Sequence, residues 1–272
     1  MEVVFGSIIF DTDEKMIHDF FDTLTNQDDK DFPILLINDH FPKEKLDKVL
    51  DSYSELKKRI TLIDVEDKQT FYENRCELIK EAKKRGYDLL IRGDFDDIYS
   101  LDKVSAYKRQ FDDDYAFFYN DILVNNESIF ETLPTICDDY KQIGQYNFVG
   151  EGACAINLHY IDDSLLEKLG QGKTNVFDWY MFTTFLLEGL KGKRVDSAYT
   201  FYHLYEGNMA GVPCKNMKTI NKEINIKRLH YSLLKDRNDY YKYLDEKYSD
   251  EVNIKIKNDL DKYYWWQFTY VD

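Results

Sequence analysis

The segment LLIRGDFDDIYS, residues 89–100, decides how the rest of the chain is read. An apolar strand-forming run empties into three aspartates within four positions, Asp94, Asp96 and Asp97. Carboxylates this close repel one another, so the arrangement calls for a cause. A solvated turn after a strand is the simplest one, since Asp is a common turn residue. A calcium loop of the EF-hand type needs oxygen ligands at alternate positions, and Ile98 stands where the third would be. The remaining reading is a D-x-D site at a strand end. There one carboxylate orders a sugar or the water shell of a cation, and the other ligates Mg²⁺ or Mn²⁺ shared with a diphosphate. D-x-D by itself is common in acidic chains, and its position in the fold separates the turn from the site.

Toward the N-terminus, apolar strand-like runs alternate with amphipathic ones. VVFGSIIF (3–10) reads as a buried strand, followed by a helix from about Glu14 to Asn26 with Met16, Ile17, Phe20, Phe21 and Leu24 as its apolar residues. FPILLIND (32–39) is a second strand, 43–58 a charged helix, and ITLIDV (60–65) a third strand. A helix from about Thr70 to Arg85 closes on Gly86 as its C-cap, and YDLLIRGD (87–94) is the fourth strand. This alternation, with strands apolar throughout, predicts an α/β fold with a mainly parallel central sheet flanked by helices. Ligands of such sheets bind beyond the carboxyl ends of the strands. The DFDD group lies at that edge, and so does Asp39.

Toward the C-terminus, YAFFYNDILV (115–124) reads as a strand, and 127–143 fits no single element. The glycine-interrupted YNFVGEGACAINL (146–158) predicts a site-lining segment or a tight turn. DWYMFTTFLLEGL (178–190) is apolar on most faces and reads as a buried helix, KRVDSAYTFYHLY (193–205) as a strand and EGNMAGVP (206–213) as a loop. From about Asn216 the chain is charged, tyrosine-rich and helical, with a charged helix over 250–262 before the aromatic terminus YYWWQFTYV (263–271). Neither an internal repeat nor a low-complexity linker is present. The expected organisation is a catalytic domain over 1–215 with a C-terminal helical extension over 216–272 packed on it.

Composition narrows the partners. Of the 272 residues 43% are apolar, enough for a real core, and the 22 Tyr and 18 Phe suit both cores and stacking on planar ligands. A formal charge of −15 argues against nucleic acid as a partner and against unaided docking on anionic lipid. An acidic chain binds a nucleotide when a divalent cation lies between the two sets of negative charge. Cys76, Cys137, Cys154 and Cys214 form no CxxC pair and read as reduced buried thiols. With no leader-like start and no apolar run near about 18 residues, no transmembrane segment is expected, and the expected setting is cytoplasmic. The aromatic terminus packs back on the domain in the simplest reading. The alternative is a partner surface, a homo-oligomer contact or a seat at the inner face of a membrane, where Trp and Tyr are favoured.

A second D-x-D, Asp11 and Asp13 in IIFDTDEK, ends the first strand. It is similar to the nucleophile loop of haloacid-dehalogenase-type phosphatases, whose first Asp attacks phosphorus while the second serves as acid/base. That family follows the pair with a small residue and then Thr or Val, where this chain has Glu14 and Lys15. Three separated segments resemble another family: FFDTLTNQDDKDFPILLINDHF (20–41), FYENRCELIKEAKKRGYDLLIRGDFDDI (71–98) and NVFDWYMFTTFLLEGLKGKRV (175–195). Their order and spacing resemble the inverting family-two glycosyltransferases of the GT-A fold, over about residues 3 to 210. The resemblance implies that Asp39 recognises the base or ribose of the donor nucleotide and that Arg75 neutralises its diphosphate. It further implies that Asp94 touches the ribose or the metal's shell, that Asp96 is the principal ligand of Mn²⁺ or Mg²⁺, and that His203 approaches the diphosphate or the metal. Asp178 becomes the general base. The chain departs from the family in having FDTD for the Pro-Thr-x-Asn loop and NDHF for Asp-Asp-Gly-Ser, and VFDWY lacks the acid that precedes the base. Asp178 therefore stands alone, and as an N-cap it would be kept ionised by the helix dipole.

The function implied is metal-dependent transfer, with inversion, of a sugar from a nucleotide-diphosphate sugar to a hydroxyl acceptor. A bacterial-type surface glycan or a lipid-linked saccharide is the acceptor class. GEGAC (150–154), Trp179 and the C-terminal part are expected to build the acceptor side, since aromatics stack on sugar faces. Two alternatives stand beside it: a catalytically silent GT-A domain that binds a nucleotide sugar or glycan, and a phosphatase acting through Asp11 and Asp13.

Overall fold

Side chains that alternate along the first strands are buried on both sides, and this fixes a sheet between two layers. Val4 and Ile8 enter one core cluster while Val3, Phe5 and Ile9 enter the other; Leu35 and Ile37 oppose Ile34 and Leu36 in the same way. The computed structural model describes residues 1–65, 69–203, 217–257, 262 and 264–272. Cys214, residues 204–205 of the last expected strand and the expected 206–213 loop lie outside the described residues.

The first half runs β1 (Val3–Ile9), α1 (Glu14–Thr25), β2 (Ile34–Asn38), α2 (Lys43–Asp51), α3 (Ser54–Lys57), β3 (Ile60–Asp64), α4 (Phe71–Lys84) and β4 (Leu89–Arg92). The single helix expected over 43–58 is broken at Ser52 and Tyr53, where the Tyr53 hydroxyl turns inward to donate to Asp22 (2.9 Å). Gly86, just past α4, has φ +81°, the left-handed conformation that glycine adopts without strain. The second half runs β5 (Ile98–Tyr99), α5 (Lys103–Gln110), β6 (Phe117–Val124), β7 (Glu127–Ser128), β8 (Ile136–Cys137), β9 (Cys154–Asn157), α6 (Asp163–Gly170), α7 (Phe177–Leu187) and β10 (Gly192–Phe201). It continues into α8 (Met217–Leu234), α9 (Asp239–Ser249), β11 (Lys255–Ile256) and β12 (Thr269–Tyr270).

The main sheet has the order β3-β2-β1-β4-β9-β6-β10-β5. It is parallel across β3, β2, β1 and β4, and again between β6 and β10. The parallel pairings dominate, as the alternation suggested, and the sheet becomes mixed where β9 pairs antiparallel with both β4 and β6 and β5 with β10. β9 enters from the tight turn Glu151–Ala153, and an antiparallel strand needs no helical crossover.

α1 covers one face with Ile17, Phe20, Phe21 and Leu24. α4 and α7 cover the other, and Tyr231 and Leu234 of α8 with Tyr241 and Leu244 of α9 join the same core. The charged helix expected over 250–262 is absent among the described residues: Glu251–Asn253 form one 3-10 turn, and β11 pairs antiparallel with β12. The alternation Ile254-Lys255-Ile256-Lys257 has the period of a strand. The aromatic terminus is folded inward, with Trp265 and Trp266 exposed by only 7% and 8%. Those indoles serve the core and a cleft, and do not form an outward membrane or partner surface.

Candidate functional site

β4 ends at the carboxyl edge of the sheet and hands the chain to the aspartates. A side chain at Gly93 would collide with the Phe5 ring and the Tyr99 hydroxyl, so only glycine lets the strand turn here. Tyr99 donates its hydroxyl hydrogen to the Asp94 carbonyl, and the Asp97 N–H closes the turn on the same carbonyl at 3.2 Å. His203 follows β10 and locks the turn from the far side. Its backbone N–H donates to Asp97 Oδ1 (3.3 Å), and its ring Nδ1 meets the Asp96 carbonyl at 3.2 Å. A carbonyl only accepts, so this contact puts a ring hydrogen on Nδ1, and in a neutral ring the lone pair then lies on Nε2, the tautomer a metal-binding histidine uses.

Burial acts on these acids together with their own repulsion. Asp97 is 3% exposed; burial, then the charges of Asp94 and Asp96, hold its carboxyl well above the usual range. The Asp94 carboxyl is raised by burial and by Asp96, against Arg75 and Arg92. Added carbon at Gly152 would lie 2.8 Å from Asp97 Oδ2 and 2.9 Å from Asp94 Oδ2, so both carboxylates close around the bare backbone of this glycine.

Asp94 and Asp97 line a cleft with Arg75, Glu151, Asp178, Trp265 and Trp266 among its walls. Four of the acids singled out in the sequence act on Arg75: burial lowers its guanidinium to about 10 against the pull of Asp94, Asp178, Asp39 and Asp96. Its side chain is already engaged. Nε donates to Glu151, Nη1 donates to the Phe71 carbonyl (3.0 Å), and the guanidinium lies on the Phe71 ring. Glu151 also accepts from the buried Arg92, so one carboxylate ties α4 and β4 to the turn before β9. Beneath the cluster lies Lys103, fully buried, with Nζ donating to the Gly152 carbonyl (2.6 Å) and Thr200 Oγ1 (3.3 Å). Burial brings its ammonium down to about 7, against the pull of Asp97 and Asp94.

Asp178 is the second residue of α7; the cap position belongs to Val176. The capping role read from the sequence is therefore corrected; burial opposes the ionised acid, although the helix N-terminus does favour it through the Trp179 N–H. Burial is the larger influence and pushes the carboxyl up to about 6, with the Trp179 N–H and Arg75 opposing it. Its Oδ2 accepts from Asn147 Nδ2 at 3.1 Å, and Asn147 also pairs backbone to backbone with Trp265 in both directions (2.9 Å).

Other residues fall elsewhere. Asp39 follows β2, partly buried, with its N–H on the Ile9 carbonyl (2.8 Å). Asp11 is exposed and paired with Lys45 (2.7 Å), and Asp13 caps α1 by accepting from the Lys15 N–H (2.8 Å); neither lines the cleft. Trp179 is fully buried, donates to the Ile143 carbonyl (2.6 Å) and stacks on His230, so it is not on the acceptor side. Asp97 was given no role of its own in the sequence; Glu151 and Trp265 were expected only as parts of the acceptor-side segments, and Glu151 is instead the shared partner of Arg75 and Arg92. Cys76, Cys137 and Cys154 are free and buried.

Among the described residues no group of three His, Cys, Asp or Glu side chains is arranged to hold a metal ion by itself. The donors at the turn are hard carboxylate oxygens and one imidazole, suited to Mg²⁺ or Mn²⁺ completed by phosphate oxygens. No helix among the described residues is long and apolar enough to cross a membrane.

No sequence-family profile matches the chain, and no curated protein matches it. Solved structures do. S. aureus TarS 1–349 in complex with UDP-GlcNAc is similar at 14% identity and a TM-score of 0.61, over 92% of this chain and 72% of that one. The mannosyltransferase PcManGT from Pyrobaculum calidifontis, in complex with GDP-Man and Mn²⁺, gives 11% identity and a TM-score of 0.58 over 89% of this chain and 69% of that one. GalNAc-T7 with UDP, GalNAc and Mn²⁺ gives 14% identity and 0.54, over 84% of this chain but 47% of its own. At these identities the likeness establishes the fold, which is that of the GT-A glycosyltransferases.

Proposed function

We propose that the protein is a glycosyltransferase that moves a sugar from a nucleotide-diphosphate sugar to a hydroxyl acceptor, with a divalent cation and with inversion. The observation that carries this is the meeting of Asp94, Asp97, Arg75 and Asp178 in one cleft of a GT-A fold. The nucleotide sugars and Mn²⁺ bound by the neighbours support the donor and cation classes by analogy. Residues 1–215 form the catalytic unit in this reading, with 216–272 as its extension.

Asp96, Asp94 and the Nε2 of His203 would hold Mn²⁺ or Mg²⁺. The ion would draw negative charge from the leaving diphosphate. Asp39 serves the base or ribose, and Arg75 contributes positive charge near the diphosphate from its fixed place beside Glu151. Asp178 takes the proton of the attacking hydroxyl. A carboxyl near 6 is ionised at neutral pH, and it is a stronger base than an ordinary aspartate. Asp94 and Asp97 belong to the turn, which leaves Asp178 as the base of a single displacement. That is the pattern of inversion. The acceptor is a saccharide hydroxyl, on a surface glycan or a lipid-linked chain. The charge and cysteines favour a cytoplasmic setting, at the inner face of the membrane when the acceptor is lipid-linked.

The test is release of nucleoside diphosphate from a panel of nucleotide sugars, with Mn²⁺ and with chelator. Cation-dependent release that disappears in Asp178→Asn supports the proposal. Binding without release points to a silent sugar-binding domain, and release of inorganic phosphate dependent on Asp11 points to a phosphatase.

A further inference from the structure

Asn147 is fully buried, and every polar atom it carries is paired. Its side-chain Oδ1 accepts from the Val149 N–H (3.1 Å), while Nδ2 donates to the Val149 carbonyl (3.1 Å) and to Asp178 Oδ2 (3.1 Å). An N–H only donates and a carbonyl only accepts, so the pairing with Val149 fixes which end of the amide is nitrogen. That nitrogen faces the Asp178 carboxylate. The main chain of Asn147 is fixed as well, because its N–H and carbonyl both pair with Trp265 (2.9 Å each). Beyond Trp265 the terminal segment is clamped again. Buried Glu223 accepts from the Thr269 N–H (2.6 Å) and Oγ1 (2.7 Å), and buried Lys227 donates to the Thr269 carbonyl. The Gln145 side chain donates to the Val271 carbonyl (3.0 Å) and accepts from its N–H (2.9 Å). On the other side, Trp179 Nε1 donates to the Ile143 carbonyl (2.6 Å), so the start of α7 is tied to this segment at two points.

A carboxylate on a cleft wall turns about its side-chain torsions, and a base must hold an oxygen toward the proton it takes. A hydrogen bond to Oδ2 restricts that turning. The neutrality of the donor matters too. A cation in this place would favour the ionised acid strongly and make it a weaker base. The contrast stands on the same wall, where Glu151 is held by the guanidinium groups of Arg75 and Arg92. We propose that Asn147, itself pinned by the terminal segment, is the positioning residue of Asp178 and orients its carboxylate through Nδ2 without supplying charge. The C-terminal extension thereby reaches the candidate base. This rests on the transferase reading above and deepens it.

The experiment is a double-mutant cycle in turnover, with Asn147→Ala made in the wild type and in Asp178→Asn. Turnover is read as nucleoside diphosphate released from a panel of UDP- and GDP-sugars in Mn²⁺. Alanine removes the amide and keeps the main-chain groups that pair with Trp265. In the wild-type background Asn147→Ala should lower kcat by about ten- to a hundredfold, the size of a hydrogen bond to a charged group, with the donor's KM unchanged. In the Asp178→Asn background it should lower the residual kcat by less than about twofold, because the base it positions is already gone. Equal losses in the two backgrounds, or a loss confined to KM, make Asn147 a packing residue and overturn the assignment. A second measurement needs neither an Asn147 variant nor turnover, and it decides alone if the alanine variant does not fold. In the ¹⁵N-labelled protein the side-chain amide resonances of Asn147 should move in Asp178→Ala, which removes their acceptor, and unmoved resonances overturn the assignment. If they move and the wild type releases no diphosphate from any donor of the panel, the transferase reading falls and this inference falls with it.

Discussion

Asp178→Asn separates a buried base from a helix cap, because the two roles predict different changes in stability. As a cap, asparagine serves about as well as aspartate, so the exchange would leave stability nearly unchanged. In the structure Val176 occupies the cap, and burial raises the carboxyl from 3.8 to about 6. At about 1.4 kcal/mol per pKa unit, ionisation then disfavours the native state by about 3 kcal/mol at neutral pH. Asparagine keeps an oxygen for the Asn147 amide and carries no charge. The variant should therefore be more stable than wild type by about 1–3 kcal/mol at pH 7.5, a rise of several degrees in melting temperature. A folded value above the unfolded one means that the stability belonging to the protonated acid is complete below about pH 4 and is lost as pH rises through about 6. The advantage of the variant thus narrows on acidification through that window and vanishes below it. Urea unfolding in chelator at several pH values from 4.5 to 7.5 measures it. Turnover in the same variant should fall by about 10²–10⁴-fold with nucleotide affinity retained. A variant less stable than wild type at pH 7.5, or one whose advantage does not change with pH, would refute the reasoning.

Four further outcomes follow from the same geometry. Glu151→Ala leaves Arg75 and Arg92 buried without their shared carboxylate and should cost about 3–5 kcal/mol in urea unfolding. Asp97→Asn should stabilise the metal-free protein at neutral pH, because burial and its acidic neighbours hold the carboxyl well above the usual range and its ionisation works against the fold; the gain should shrink on acidification. Gly152→Ala places carbon 2.8–2.9 Å from two carboxylate oxygens and should weaken Mn²⁺-dependent nucleotide binding by at least about tenfold, read by titration with the circular dichroism spectrum preserved. Asp96→Asn should abolish cation-dependent donor turnover with the melting temperature retained, and activity surviving in chelator would remove the cation from the reaction.

The sequence by itself determined the strand–helix frame of the first hundred residues, since a strand buried on both faces reads as a continuous apolar run wherever it occurs. It also put Asp94, Asp96 and Asp97 at a strand end, and β4 with its turn bears this out. Those signals are local: a period, a cap, a turn. What only the tertiary structure decided joins residues far apart in the chain. Arg75 meets Glu151 from 76 positions away, and Asn147 links Asp178 to Trp265. Asp97, given no role beside its neighbours, is the more deeply buried acid. The direction in which Asp178 titrates was also out of reach, because the helix dipole is a property of the local segment while desolvation depends on everything packed around it. Periodicity is written along the chain; burial and charge pairing come into being only when distant segments enclose the same space.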